Sequence, residues 1–161
     1  MKKLLATLLV SSSLIALFAM SDTAEARAIE IQTQLKKYRG PAAYMAVYLT
    51  KPNGAYHSTI AISGSKSKYY PHLRGWYRGV SRAGGRVDGV TGASVGGGRT
   101  MTVTTDIADA LIEAGYKIHV DTSVEERGDY RSDAVVPLKG AGSATSVRGR
   151  GIVKSLAVRV K

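Results

Sequence analysis

The stretch Ala43-Tyr44-Met45-Ala46-Val47-Tyr48-Leu49-Thr50-Lys51-Pro52-Asn53-Gly54-Ala55-Tyr56-His57-Ser58-Thr59-Ile60-Ala61-Ile62-Ser63 decides the fold. Two runs rich in β-forming residues flank Lys51-Pro52-Asn53-Gly54, where Pro and Asn-Gly stand at places that suit a turn. The reading is an antiparallel hairpin, with one strand over 43–50 and its return over 55–63.

Outward from the hairpin the same signal repeats. Ile29, Ile31, Thr33 and Leu35 alternate with Glu30, Gln32 and Gln34, the period of two expected of a half-buried strand, until Gly40-Pro41 breaks the pattern. Further strands are predicted over 99–105, 116–122, 133–138 and 151–160; in the last, Leu156, Val158 and Val160 share one face. Many short strands separated by Gly-rich breaks predict an all-β fold, an Ig-like antiparallel β-sandwich with one or two short helices. One helix is expected over 71–80, where Leu73, Trp76, Tyr77 and Val80 form an apolar stripe and Pro71 occupies the first turn. The other is expected over 106–114, with Asp106 as N-cap and Gly115 as the stop. Residues 140–150 read as a loop or arm.

Composition narrows the classes of function. The 161 residues hold no Cys, which excludes disulfides, thiolate metal sites and cysteine catalysis. Lys2 and Lys3, the apolar run Leu4 to Met20 and the small-residue pattern Ala24-Glu25-Ala26 are the three parts of a secretory signal peptide. Residues 1–26 are therefore expected to be cleaved and 27–161 to form a single domain, exported to the periplasm by the general secretory route. The chain carries 23 Lys and Arg against 12 Asp and Glu, a formal charge of +11. In an exported protein such an excess suits an anionic surface or an anionic cofactor better than nucleic acid.

His57, His72 and His119 have no metal-ligand spacing, and neither a metal site nor catalytic residues are expected. Residues 92–100 lack the first Gly and the Lys of a phosphate loop, because Ala93 and Arg99 stand in those places. Six basic residues and no acid lie between Lys66 and Arg86, with Arg74, Arg78 and Arg82 at every fourth position and so on one helical face.

Beside that run stands Val87-Asp88-Gly89-Val90-Thr91-Gly92-Ala93-Ser94. Asp88 to Ser94 resembles the acceptor motif of flavinyl transferases, which split FAD and join FMN to the hydroxyl of the last Thr or Ser. Over a wider span, the chain is similar to domain-of-unknown-function family 2271, predicted periplasmic proteins. Tyr70 with Leu73 and Trp76, the Val87–Ser94 motif and Ala114-Gly115-Tyr116 carry that similarity. The resemblance implies a β-sandwich that accompanies membrane-bound redox or iron-uptake proteins. It also implies Ser94 as the acceptor of covalent FMN and Asp88 as a residue the transferase reads. Gly89 and Gly92 let the backbone approach a bulky group, and Ala93 leaves room beside the acceptor, with Thr91 completing the motif. Arg86, Arg82 or Arg99 are candidates to neutralise the phosphodiester, and Trp76 or nearby Tyr residues to shield the ring.

Two expectations follow. One is a non-enzymatic electron carrier with FMN on Ser94. The other is an Ig-like binding module without flavin, docked on a membrane protein through its basic face.

Overall fold

The computed structural model describes residues 25–87 and 89–161. Residues 1–24 of the expected leader and Asp88 lie outside the described residues. In chain order the strands are β1 (Ala26–Leu35), β2 (Tyr44–Thr50), β3 (Tyr56–Ser63), β4 (Val90–Gly92) and β5 (Thr100–Ala108). They continue as β6 (Lys117–Val124), β7 (Gly128–Pro137), β8 (Ala144–Val147) and β9 (Val153–Val160). Helix α1 (Arg74–Arg82) follows β3, and the single-turn helix α2 (Asp109–Glu113) follows β5.

The strands form two sheets, one ordered β5-β1-β9-β8 and the other β4-β3-β2-β6-β7. Buried side chains from both pack into one core: Ile29, Ile31 and Leu156 from the first meet Met45, Val47 and Val120 from the second. This is the expected all-β sandwich. The 43–63 hairpin forms with Met45 opposite Ser63 and Thr50 opposite Tyr56. One ladder departs from the antiparallel expectation, since β4 runs parallel to β3.

Strand β2 is buried along nearly its whole length because both of its faces are covered. Met45, Val47 and Leu49 point into the sandwich, while Ala46 and Tyr48 belong to a second cluster with Ile62, Leu73, Trp76 and Val80. That cluster is the apolar stripe of α1 laid on the outer face of the five-stranded sheet. Two glycines one helical turn apart set the close approach. A Cβ on Gly75 would sit 2.8 Å from the Tyr48 hydroxyl, and one on Gly79 would sit 2.5 Å from the Tyr56 Cβ.

Both helices differ at their starts from the sequence expectation. Pro71 lies inside a 3₁₀ turn (Ser67–His72), and α1 begins only at Arg74. Leu73 is the N-cap and offers no side-chain bond; the cap comes from Asp121 on β6, whose Oδ2 accepts from the N–H groups of Gly75 and Trp76. Asp106 is not an N-cap but a strand residue, because β1 pairs with β5 as far as Ala26 opposite Ala108. The inter-strand hydrogen bonds override the local helical spacing, and α2 starts at Asp109. Gly115 does end it, at a φ of 77°.

The stretch 140–150 contains an edge strand. Ala144 to Val147 pairs with β9, Thr145 opposite Val158. Beyond it, Arg148-Gly149-Arg150-Gly151 wraps the buried carboxylate of Asp133, which accepts from the N–H groups of Gly151, Ile152 and Val153. One aspartate on β7 of the five-stranded sheet thereby holds the start of β9 in the other sheet.

Candidate functional site

The motif is an edge strand and the turn after it. Thr91 lies opposite Ile62, the Gly64 N–H donates to the Gly92 carbonyl at 2.8 Å, and Val95 exchanges two backbone hydrogen bonds with Ala43. Ser94 is thus held between two backbone anchors, while Thr91, Gly92, Ala93 and Ser94 all remain exposed.

The two motif glycines differ in what the fold asks of them. A Cβ on Gly89 would lie 2.7 Å from the Thr59 methyl and 3.0 Å from the Ile60 carbonyl, so this position is glycine for packing. A Cβ on Gly92 would meet nothing within 4 Å, and its φ is not in the left-handed region. Folding does not require Gly92.

Ser94 opens on a cleft of about 770 Å³. Its walls include the rings of Tyr44 and Tyr69, the cations Lys66 and Arg74, and the backbone bend at Pro41. Tyr44 and Tyr69 meet edge to face, with centroids 5.3 Å apart, and Lys68 stands 4.9 Å over the Tyr69 ring. The volume falls within the range of small-molecule and cofactor clefts, with aromatic faces and positive charge beside an accessible hydroxyl.

Across the same cleft, His72 Nδ1 lies 3.2 Å from Asp129 Oδ2, and Arg74 contacts that oxygen at 3.1 Å. Burial pushes the Asp129 carboxyl up, but the Ser123 hydroxyl, His72 and Arg74 outweigh it and hold the group below the usual carboxylate range. No hydrogen bond among the described residues joins His72 to Ser94, so the His–Asp pair does not activate that hydroxyl as it stands. Glu125 and Glu126 also line the cleft, in the turn between β6 and β7.

The structure relocates several other residues named from the sequence. Trp76 is 1% exposed, its ring packed under α1 and its indole N–H donating to Thr59 Oγ1 at 3.0 Å. It is a core residue and does not line the Ser94 cleft, whose aromatic rings are Tyr44 and Tyr69. Arg82 faces a different cleft, on the other side of α1, and neither Arg86 nor Arg99 lines the one at Ser94. The cations lining the Ser94 cleft are Lys66 and Arg74, both members of the basic run, with Arg74 paired to Asp129. Tyr69 is among the Tyr residues near Trp76 in the chain, whereas Tyr44 reads in the sequence only as one more β-forming aromatic. Asp88 is outside the described residues.

His57 is exposed on β3 and His119 sits on β6. Among the described residues no group of three or more His, Asp or Glu side chains is gathered as a metal site would need.

No curated protein and no solved structure matches the chain. A family model described as a predicted periplasmic protein, domain-of-unknown-function family 2271, matches residues 26–155. That span runs from the first residue of β1 into β9 and takes in both sheets, α1 and the Ser94 motif, so the chain belongs to the family 2271 predicted periplasmic proteins.

Proposed function

We propose that this domain is an exported electron carrier whose FMN is joined through a phosphodiester to Ser94, serving a membrane-bound redox or uptake system. The observation that carries the reading is the exposed Ser94 at the mouth of a cleft walled by Tyr44, Tyr69, Lys66 and Arg74. In the joining step a flavinyl transferase supplies FAD. The Ser94 oxygen forms a bond to the FMN phosphorus, the pyrophosphate bond breaks, AMP leaves, and the hydroxyl proton passes to solvent. The flavin supplies reversible electron transfer.

The chain's own residues then have distinct tasks. Lys66 and Arg74 balance the phosphodiester charge, by charge-assisted hydrogen bonds within their reach. Tyr44 and Tyr69 offer apolar faces that limit water on one side of a planar ring. Gly92, which the fold does not need, keeps the strand free of a side chain next to the acceptor. Such a domain is a carrier and not a catalyst, since the Ser94 hydroxyl is consumed as an attachment point.

The test is the intact mass of the protein purified from its own periplasm, beside Ser94→Ala. The expected result is an FMN adduct in the natural chain and none in the variant. An unmodified mass in cells with an active transferase overturns the reading. It would favour a flavin-free module docked on a membrane protein through its basic face, a reading supported by Arg78 and Arg82, which are exposed and have no ion pair among the described residues.

A further inference from the structure

Helix α1 contributes Arg74 to the Ser94 cleft and Arg78 and Arg82 to a second one of about 300 Å³. This second cleft lies between the helix, the 51–55 turn and the outer face of β6 and β7. Its walls carry three arginines, Arg78, Arg82 and Arg131, with the rings of Tyr48, Tyr56 and His119 and no acidic side chain among the described residues. None of the three arginines has an ion pair among the described residues. The one carboxylate close beneath, Asp121, is fully buried, and both of its oxygens already accept hydrogen bonds from Tyr48, Ser132, Gly75 and Trp76.

Two further features make this more than a solvated basic face. Ser132 holds a φ of 46°, a left-handed conformation that a non-glycine residue adopts only when its surroundings impose it. Here the Ser132 N–H donates to Asp121 at 2.7 Å and the Ser132 carbonyl accepts from Arg150 at 2.7 Å. That fixed residue presents its hydroxyl to His119 Nδ1 at 3.1 Å, leaving Nε2 of the same ring buried with no partner among the described residues. A buried nitrogen of this kind is costly unless something outside the chain satisfies it.

We propose that the Arg78–Arg82–Arg131 cleft is a binding site for a small phosphate-class anion, either free phosphate or a phosphomonoester. Three guanidinium-bearing residues lining one cleft suit the several oxygens of a tetrahedral dianion, and the volume leaves room for a phosphate with a short organic group. The site is independent of Ser94 and holds whether or not that residue carries flavin.

The test is a two-dimensional amide NMR titration of the full mature chain with inorganic phosphate and with glycerol 3-phosphate, at constant ionic strength set with NaCl. The expected result is a saturable shift confined to Gly75, Gly79, His119 and Ser132, with the His119 ring responding. Arg78→Gln with Arg82→Gln should weaken binding at least about tenfold, as loss of charge-assisted hydrogen bonds implies, while Arg159→Gln, exposed on β9 and lining neither cleft, leaves it unchanged. Shifts spread over the whole basic surface, no saturation, or an equal loss in Arg159→Gln would overturn the site. Sedimentation with phosphatidic acid vesicles, which present a phosphomonoester, with phosphatidylcholine as control, separates a lipid source from a soluble one. Vesicle binding that phosphate competes away and that needs Arg78 and Arg82 identifies a lipid headgroup as the anion. Phosphate binding without vesicle binding identifies a soluble one, and vesicle binding indifferent to both phosphate and these arginines counts against the site.

Discussion

Asp121 on β6 accepts a hydrogen bond from the backbone N–H of Trp76 at 2.9 Å, so a buried strand carboxylate caps a helix that begins 47 residues earlier in the chain. The same oxygen accepts from Gly75 at 2.6 Å, and the other from Tyr48 at 3.0 Å and Ser132 at 2.7 Å. A carboxylate so placed meets two of the unsatisfied N–H groups of the first turn and the positive end of the helix dipole together. It also fixes α1 between the two clefts, and both candidate sites depend on that placement.

Replacing Asp121 by Ala leaves four donors without their acceptor and should cost about 3–5 kcal/mol, in the range seen when one partner of a buried ionic network is removed. Asp121→Asn keeps one acceptor oxygen and should cost less. Urea unfolding measures the loss. The chain has a single Trp, so a red shift of its emission before global unfolding would show α1 leaving the sheet first.

Gly79→Ala sets helix propensity against packing. Alanine should favour the helix by about 1 kcal/mol. The added Cβ would, however, sit 2.5 Å from the Tyr56 Cβ and 2.9 Å from its Cγ, atoms close to the β3 backbone that cannot swing aside. Packing wins, and the variant should be destabilised by about 1–3 kcal/mol. A midpoint equal to or above that of the natural protein would show that α1 shifts outward without penalty.

Gly89→Ala and Gly92→Ala separate folding from recognition within one motif. The first places a Cβ against Thr59 and Ile60 and should lower stability by about 1–3 kcal/mol. The second meets nothing and should change stability by less than about 0.5 kcal/mol. If the motif is read by a flavinyl transferase, Gly92→Ala should nonetheless lose the FMN adduct, which intact mass would reveal. Full modification of a stable Gly92→Ala protein would show that this glycine has no part in recognition.

Acid should unfold the protein in two steps of different origin. Burial lowers the proton affinity of His119, and Lys117, Arg131 and Arg150 act in the same direction against Asp121. A histidine whose folded pKa is depressed adds stability above its unfolded value of about 6.5, and that stability declines as pH falls through the folded pKa. Asp129, also depressed, adds stability above about 3.9 that is lost at lower pH. Urea midpoints taken from pH 7 to pH 3 should therefore fall first below 6.5 and again below 4. His119→Gln should flatten the first decline and Asp129→Asn the second; a first decline unchanged in His119→Gln would assign it elsewhere.

By itself the sequence determined the sandwich. Alternation of Ile29, Ile31, Thr33 and Leu35, and the Pro-Asn-Gly turn between two β-rich runs, are local patterns, and the strands they predict are present. It also determined that Arg74, Arg78 and Arg82 share one helix and that an acceptor-like Ser ends a Gly-rich motif. Tertiary structure decided the rest. Strand β8 and the length of β5 come from hydrogen bonds with β9 and β1, and Asp106 lost its expected helix to that pairing. Trp76 became core because the outer face of β2 needed cover, while Tyr44 and Tyr69 came to Ser94 from other parts of the chain. Asp121 and Asp133 look like ordinary polar strand residues, yet each organises backbone donors far away in the chain. The physical reason is the same in each case. Side-chain periodicity is set by near neighbours, whereas a buried donor or acceptor takes whichever partner the packed sheets bring within about 3 Å.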